Sequence, residues 1–560
     1  MVISFNKFER FEQPQIILCS PGSRYINNDI TLPVGELSHI TDVEIQFNFG
    51  SPSEMNFRLS YVPHEDQAID EFIRSLFDST ANRMSLFLPD IGYFQITNTD
   101  SDTNGKYQYK DITAKSCDYE LARKNIPYIE DGVYPLVSAD QDAPGIMDKL
   151  LTVAPFWTIK YIDDDLSDLN RSFTDVPTDK DLLSFLTEDV QKAFECVLIF
   201  DIITREISIY AKANYYNPTD VHLSMDDLVT EVSIAEDADN IYTAMRVSTS
   251  DDITMGMVNP LGGNVVYDFH YFLSWMSPSL RLKMVAWEEN MQTATSSYQT
   301  LCVSYYTLLD EQSELIAEIE RLDVLLDVYQ TCKRNFEDGM EDIPIELYNS
   351  EIIAADGEPI TVYSDVTQTI AALQDQIDDT AADKADVESD LQDVEDEMSD
   401  VEDNMQDIRD SVNFKLILTA DEYAELSCYV FEGNYTDEYI AITESMDTAE
   451  IVEQKVALYN RALSKLHEIS EPTREFEIST IDFVFVKAFE QITDQLFTGC
   501  LVSVELSSTE VETLFLTGIT VNYEERSAQF SFGNRIYRND TKALFDEVLG
   551  EVSLSANTVL

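Results

Sequence analysis

Seven apolar residues, Val387, Leu391, Val394, Met398, Val401, Met405 and Ile408, stand in an otherwise acidic stretch, VESDLQDVEDEMSDVEDNMQDI. Their steps alternate four and three without a slip, which winds one narrow apolar stripe along a helix and leaves every other face charged. A strand is excluded, because its side chains repeat every two residues. A stripe this thin cannot hold a globular core by itself, so the segment calls for a long helix with a partner laid along it.

The same chain supplies the partner. The stripe extends back through Ile377, Leu373 and Ile370, with Thr380 and Lys384 as polar interruptions. That gives roughly 45 helical residues, or about 70 Å at 1.5 Å each. Upstream, Trp287, Met291, Ala294, Tyr298, Leu301, Tyr305, Leu308, Leu315, Ile319, Leu322, Leu326, Tyr329 and Phe336 keep the rhythm, with Gln312 and Lys333 polar. Two helices of similar length and a connection of about thirty residues predict an inserted antiparallel helical hairpin, a coiled coil, over 285–412. Its tip, at 339–365, contains β-prone pieces around Ala354 to Glu358 that predict a small β-hairpin. Segment 385–410 has twelve acids against the single Arg409, so its solvent face has no ion pairs of its own to hold it. Within 285–412 no D-x-[DN]-x-[DN]-G calcium loop is present.

On either side of this excursion the chain reads as strands. VEIQFNF, MNFRLSYV and MSLFLPDIGYFQITN alternate between turn-forming residues, and Asn104-Gly105 suits the tight turn of a hairpin that runs into KYQYKDITA. After residue 117 helical spacing in PGIMDKLLTVAP and TDKDLLSFLTEDVQKAF, with a helix start at Thr178, combines with two strands in ECVLIFDIITREISIYAK. Strand texture returns in LVTEVSIAEDADNIYTAMRVST and again in EFEISTIDFVFV, LVSVELS, TLFLTGITVNYEE and RSAQFSFGN. The expected fold is a multidomain α+β protein with β-barrel-like domains, a small α/β domain and the helical hairpin. The expected divisions are a first β domain at 1–116, an α/β domain at 117–215, and a second β domain from 216–284 plus 475–540. A helical and irregular connector follows at 413–474, with a tail at 541–560.

Charge restricts the partners. With 105 acidic against 36 basic residues the formal net charge is -69, which repels nucleic acid and anionic membrane surfaces, so neither stable nucleic-acid binding nor a membrane span is expected. The start, MVISFNKFERFEQP, carries charges and a proline where a signal peptide has its apolar core, which predicts a chain made in a cytosol. Cys19, Cys117, Cys196, Cys302, Cys332, Cys428 and Cys500 are odd in number and lack C-x-x-C spacing, so they are expected to be reduced packing residues.

Histidines His39, His64, His222, His270 and His467 lie far apart in sequence and form no H-E-x-x-H. G-x-S-x-G and Walker patterns are also absent. Cys302 and Cys332 fall in expected helix with no histidine nearby in sequence, which suits packing better than a nucleophile. The residues alone therefore assign no catalytic, cofactor-binding or metal-ligating position and no cofactor.

Downstream of the helices, LILTADEYAELSCYVFEGNYTDEYIAI carries Tyr423, Tyr429 and Tyr435, and a helix from about Thr448 to Ile469 ends near Ser470 to Pro472 before a return strand. This order resembles the tail hub, or tail-associated, proteins of tailed bacteriophages and prophages, the group that includes "prophage endopeptidase tail" proteins. The hairpin into SCDYEL, the FECVLIFDIITREISIY unit and the DNIYTAMRV strand are similar to that family in its order, and together they cover most of the chain outside 285–412. One departure is Gly499-Cys500, where related hubs often have Gly-Asp at the turn into a strand.

The resemblance implies a structural virion protein assembled in the host cytoplasm and placed at the tail tip. In that family two similar β domains per subunit build a homotrimer whose pseudo-sixfold ring closes the tail tube. It further implies contacts with the tube, a distal tail protein and a tape-measure protein, with roles in genome ejection and host attachment. Two rival functions stay open: a cell-wall hydrolase, since family members carry such labels, and a host-surface adhesin using Tyr348 and Tyr363 at the hairpin tip.

Overall fold

The computed structural model describes residues 13–533, apart from 105–106, 141–142, 168, 225–227, 239–240, 250–252, 444–445, 481 and 508–509. The expected tail at 541–560 and Gly105 of the expected turn lie outside the described residues. Contacts divide the chain into two compact units, Met1–Ile241 with Glu471–Leu560, and Tyr242–Ser470.

The first unit is built on a 13-stranded sheet. Glu54–Tyr61 shows why these segments become strands: Met55, Phe57, Leu59 and Tyr61 all face inward, while the residues between them are half-exposed. Ile40–Asn48, Glu54–Tyr61, Tyr107–Ser116 and Gly92–Asn104 follow one another antiparallel. The last pair keeps register out to Asn104 opposite Tyr107, so DSDTN continues the strand rather than forming a loop.

The last described strands complete the sheet. Gly518–Asn522 pairs antiparallel with Glu44–Asn48, and the backbone N–H of Asp42 donates to Glu524 at 2.8 Å, joining segments far apart in the sequence. One core gathers Leu18, Ile45, Phe57, Phe94 and Ile112; another gathers Leu223, Phe476, Phe483, Val502 and Phe530. The sheet is antiparallel except that Pro218–Leu223 runs parallel to Leu501–Ser507.

A small three-stranded sheet, Thr158–Ile162, Glu206–Ala211 and Cys196–Asp201, completes the described α/β part of this unit. The helix expected from Thr178 begins instead at Leu182, because the Asp181 carboxylate accepts the Ser184 N–H at 2.9 Å and caps it there. Its expected inner face, Leu182, Leu183, Leu186, Val190 and Phe194, is buried.

In the second unit Ala244–Thr249 lies between antiparallel Val265–Tyr267 and parallel Glu432–Asp437. Thr448–Ile469 is a helix opened by a capping box between Asp447 and Glu450. The first long helix, Pro278–Glu337, has Ser277 at its cap and a proline in its first turn; the second, Val366–Val412, has Asp365 at its cap. They run antiparallel. From base to far end, Trp287 Nε1–H donates to Val412 O at 2.9 Å, Gln312 donates to Glu395 at 3.4 Å, and Lys384 meets Asp323 at 2.5 Å. Beyond these, Lys333 meets Gln374 at 2.5 Å. Gln312, Lys333 and Lys384 thus find partners across the pair, while the Thr380 hydroxyl donates to Gln376 O of its own helix at 2.7 Å.

Within 387–408 the seven stripe residues are buried or half-buried and every residue between them is exposed. The shaft is thin in the middle, since no residue from 303 to 321 is fully buried, and thicker at its ends. At the far end the expected β-hairpin is replaced by a helix, Ile345–Ala354. Ile345, Tyr348 and Ile352 recur at helical spacing, and Ile352 joins Leu322, Leu325, Val328, Tyr329, Cys332, Ile360 and Leu373 in a separate core. That burial outweighs the β-propensity of the isolated segment. Gly357 lies so close to Leu325 that a Cβ there would overlap its side chain.

Candidate functional site

A cluster of ionisable groups forms in the second unit where three elements meet. Val265–Tyr267 ends at Asp268, whose Oδ1 accepts the His270 backbone N–H at 3.0 Å and opens the 3-10 turn His270–Trp275. The intervening Phe269 is fully buried and lies 6.4 Å and 6.2 Å, between ring centroids, from Trp287 and Phe414. These rings hold the turn against the first long helix. His467 comes from the last turn of Thr448–Ile469, and Glu288 from the start of the long helix.

Asp268 bridges both imidazoles. Its Oδ1 is 2.7 Å from His270 Nδ1 and its Oδ2 is 2.7 Å from His467 Nδ1, while the two rings lie 4.6 Å apart. Burial alone would raise the Asp268 carboxyl, but the hydrogen bonds from His270 and His467 outweigh it and hold the group well below the usual carboxylate range. Glu288 responds in the opposite sense: burial, then the neighbouring Asp268 charge, pushes its carboxyl up to about 7. Its Oε1 is buried and has no hydrogen-bond partner among the described residues.

The Ser470 hydroxyl is 3.3 Å from His270 Nδ1, the ring nitrogen that Asp268 also meets, and Ser470 is fully buried. A Ser-His-Asp relay requires the hydroxyl and the carboxylate on opposite ring nitrogens, so this is not the geometry of a nucleophilic triad. Two imidazoles and the Asp268 carboxylate instead make a set of nitrogen and oxygen donors.

Of the five histidines the structure brings only His270 and His467 together among the described residues. His64 Nδ1 accepts the Asp66 N–H at 3.0 Å beside a helix start, and His222 meets Ser503 at 3.0 Å on the sheet. Burial pushes the Cys302 and Cys332 thiols up to about 11, and both are fully buried, as packing residues are. Six of the seven cysteines are buried and Cys428 is exposed. At the helical tip Tyr348 is half-buried, its hydroxyl 2.8 Å from Asn335, while Tyr363 is exposed. Sequence reasoning missed the cluster because Asp268 and His467 are 199 residues apart and no spacing rule links them.

No protein-family model matches the chain. SPbeta prophage-derived uncharacterized protein YomG of Bacillus subtilis (strain 168) is 20% identical over 381 residues, which is 67% of this chain and 40% of that protein. The chain therefore spans less than half the length of this curated relative. Among solved structures, prophage tail protein gp18 from Listeria monocytogenes EGD-e is similar with a TM-score of 0.43 and 9% identity, covering 96% of this chain and 99% of that one. The 43 kDa tail protein of prophage MuSo2 from Shewanella oneidensis follows at a TM-score of 0.40 and 8% identity, over 93% and 97%. A tail protein from Neisseria meningitidis MC58 has a TM-score of 0.40 and 6% identity, over 93% and 96%. Among the described residues no helix is long and apolar enough to cross a membrane.

Proposed function

We propose that this chain is a structural hub protein of a phage or prophage tail, acting as a homotrimer that closes the distal end of the tail tube. The observation that supports this best is the route of the chain after the long helices. The tyrosine-rich segment, the Thr448–Ile469 helix and the Thr473–Thr480 strand return it to the sheet begun by the N-terminal strands. That is the segment order of the hub family named above. A curated relative bearing a prophage-derived name agrees with it.

In this proposal the barrel-like hub domains are contributed by the strands of the first unit, and the helix pair is an inserted coiled coil. A tail tube, a distal tail protein and a tape-measure protein are the partners. The acidic surface suits a conduit for DNA, since like charge lets a polyanion pass where lysine clusters would hold it. Attachment of further tip proteins and host contact through the hairpin are secondary parts of the same proposal.

The test is deletion of the gene from the producing phage or prophage, with electron microscopy of induced particles and cryo-EM of intact tails. Tails that lack a closed tip, restored by the gene in trans, are expected, with three copies in the wild-type tip. Normal tails without the protein, or its absence from purified tails, would refute the proposal. Zymography on host cell wall with the purified chain addresses the hydrolase alternative, for which clearing abolished by a point substitution would be the positive result.

A further inference from the structure

We infer that His270, His467 and Asp268 bind one divalent metal ion of the zinc class, with the Glu288 charge nearby. This site stands apart from the tail proposal and rests on the second unit alone.

Three arguments carry it. The first is convergence. Asp268, His270 and His467 each place a ligand atom within 4.8 Å of the others. Zinc-to-nitrogen and zinc-to-oxygen bonds are about 2.0–2.2 Å, so side-chain movement of less than about 1 Å would bring all three onto one ion. His467 can make it, because its side chain is 67% exposed.

The second is positioning. Asp268 and His270 sit on a turn locked by the Phe269, Trp287 and Phe414 rings, and His467 and Glu288 sit on two regular helices. Donors from separate rigid elements converging on one point make a preorganised shell, unlike carboxylates scattered along an exposed helix.

The third is Glu288. Hydrogen bonds to the imidazoles account for both oxygens of Asp268, but they leave the buried Glu288 Oε1 without a partner among the described residues, beside a second carboxylate. Glu288 is not one of the three converging ligands, but its charge interacts with Asp268, His270 and His467, and a divalent cation held by those three would relieve the repulsion between the carboxylates. Two imidazoles with carboxylates select zinc, cobalt or a similar ion over magnesium and calcium, which favour all-oxygen shells. Bound there, the ion would tie the end of the Thr448–Ile469 helix to the strand-end turn.

The full-length chain, stripped with a chelator and dialysed, is titrated with Co2+ and then with Zn2+ in excess Mg2+, which occupies nonspecific acidic surface sites. One Co2+ per chain with visible d–d absorption, displaced by Zn2+, is the expected result, together with a Zn2+-dependent rise in melting temperature. His467→Ala should weaken Co2+ binding at least tenfold while helix content by circular dichroism stays unchanged. Glu288→Gln should weaken it less. Failure to retain any stoichiometric ion in excess Mg2+, or equal retention by His467→Ala, would overturn the inference. Because His467 is largely exposed, its replacement keeps the test valid even where His270→Ala does not fold. Loss of this site would leave the tail proposal untouched, since tail incorporation is read separately.

Discussion

Arg461 Nε meets Asp437 Oδ2 at 2.6 Å, with 3% and 0% of the two side chains exposed. Asp437 also accepts the Tyr439 N–H at 2.9 Å and the Tyr435 hydroxyl at 2.8 Å, so the charge is well compensated. Removing one member of such a pair strands the other in a dry environment, at about 3–5 kcal/mol. Arg461→Ala should therefore lower the unfolding free energy of the second unit by that amount in urea titration. Replacing both residues with apolar ones of similar volume should cost much less. The pH dependence has a definite sign. Burial would raise the Asp437 carboxyl, but the Arg461 charge and the hydrogen bonds lower it below its ordinary value. Its contribution to stability is then complete above the unfolded pKa of about 3.9 and disappears as pH falls through the lower folded value. Wild-type protein should lose stability across that acidic window more steeply than Arg461→Ala, and an unchanged slope would refute the assignment. Neither this pair nor the Asp268 cluster was legible in the sequence. Periodicity reports which face of an element is apolar, and the partners here are 24 and 199 residues apart on different elements.

Elements fared differently, because a helix writes its environment into local spacing. Every stripe residue from Val387 to Ile408 is withdrawn from solvent, as the alternating three and four steps demand. The tip was misread because a ten-residue segment can satisfy β-propensity or helical spacing, and only the neighbouring Leu322, Leu325 and Leu373 side chains decide between them. Val394 is 7% exposed and belongs to the thin part of the second helix, where each apolar contact counts. Val394→Asp should cost roughly 2 kcal/mol of burial. Hydrogen exchange should quicken over 385–410, while the tip core around Tyr329 stays protected. Excision tests the same element more severely. The base of the pair buries Trp287, Ala294, Tyr298 and Cys302 in the second unit, so a cut at 285 would remove core residues. A cut further out avoids this. Gln312 and Glu395 face each other at 3.4 Å, and helix axes in contact are about 8–10 Å apart. Replacing 314–394 with a four-residue Gly/Ser bridge, which reaches about 13 Å, should leave a soluble, folded protein with less helix by circular dichroism. Aggregation, or loss of the folded base, would mean that the distal segment is needed for the rest to fold.

At the scale of the whole molecule, alternation made the strands legible but not their joining. Nothing in TGITVN or VEIQFN states that these two segments, more than 400 residues apart, pair antiparallel in one sheet. Register between distant strands is set by the packing of both cores, which no local pattern records. The charge, by contrast, is fully written in the sequence and governs the last prediction. A homotrimer would gather three chains of -69 each, a formal -207, so association works against electrostatic repulsion and must be offset by apolar or geometric complementarity. Salt screens that repulsion: the Debye length falls from about 30 Å at 0.01 M to about 8 Å at 0.15 M. Purified chain should therefore move from monomer toward trimer as salt rises, in mass photometry or sedimentation at fixed protein concentration. The direction discriminates between assembly forces. Interfaces built from complementary charges weaken with salt, whereas like-charged subunits held by apolar contacts strengthen. A trimer that forms at low salt and dissociates at high salt would show an ionic interface and contradict the repulsion argument. A chain that stays monomeric in solution at all salt concentrations, yet appears in three copies in the assembled tail, would place the trimerising contacts on its partners. Six copies in the tail would defeat the trimer altogether.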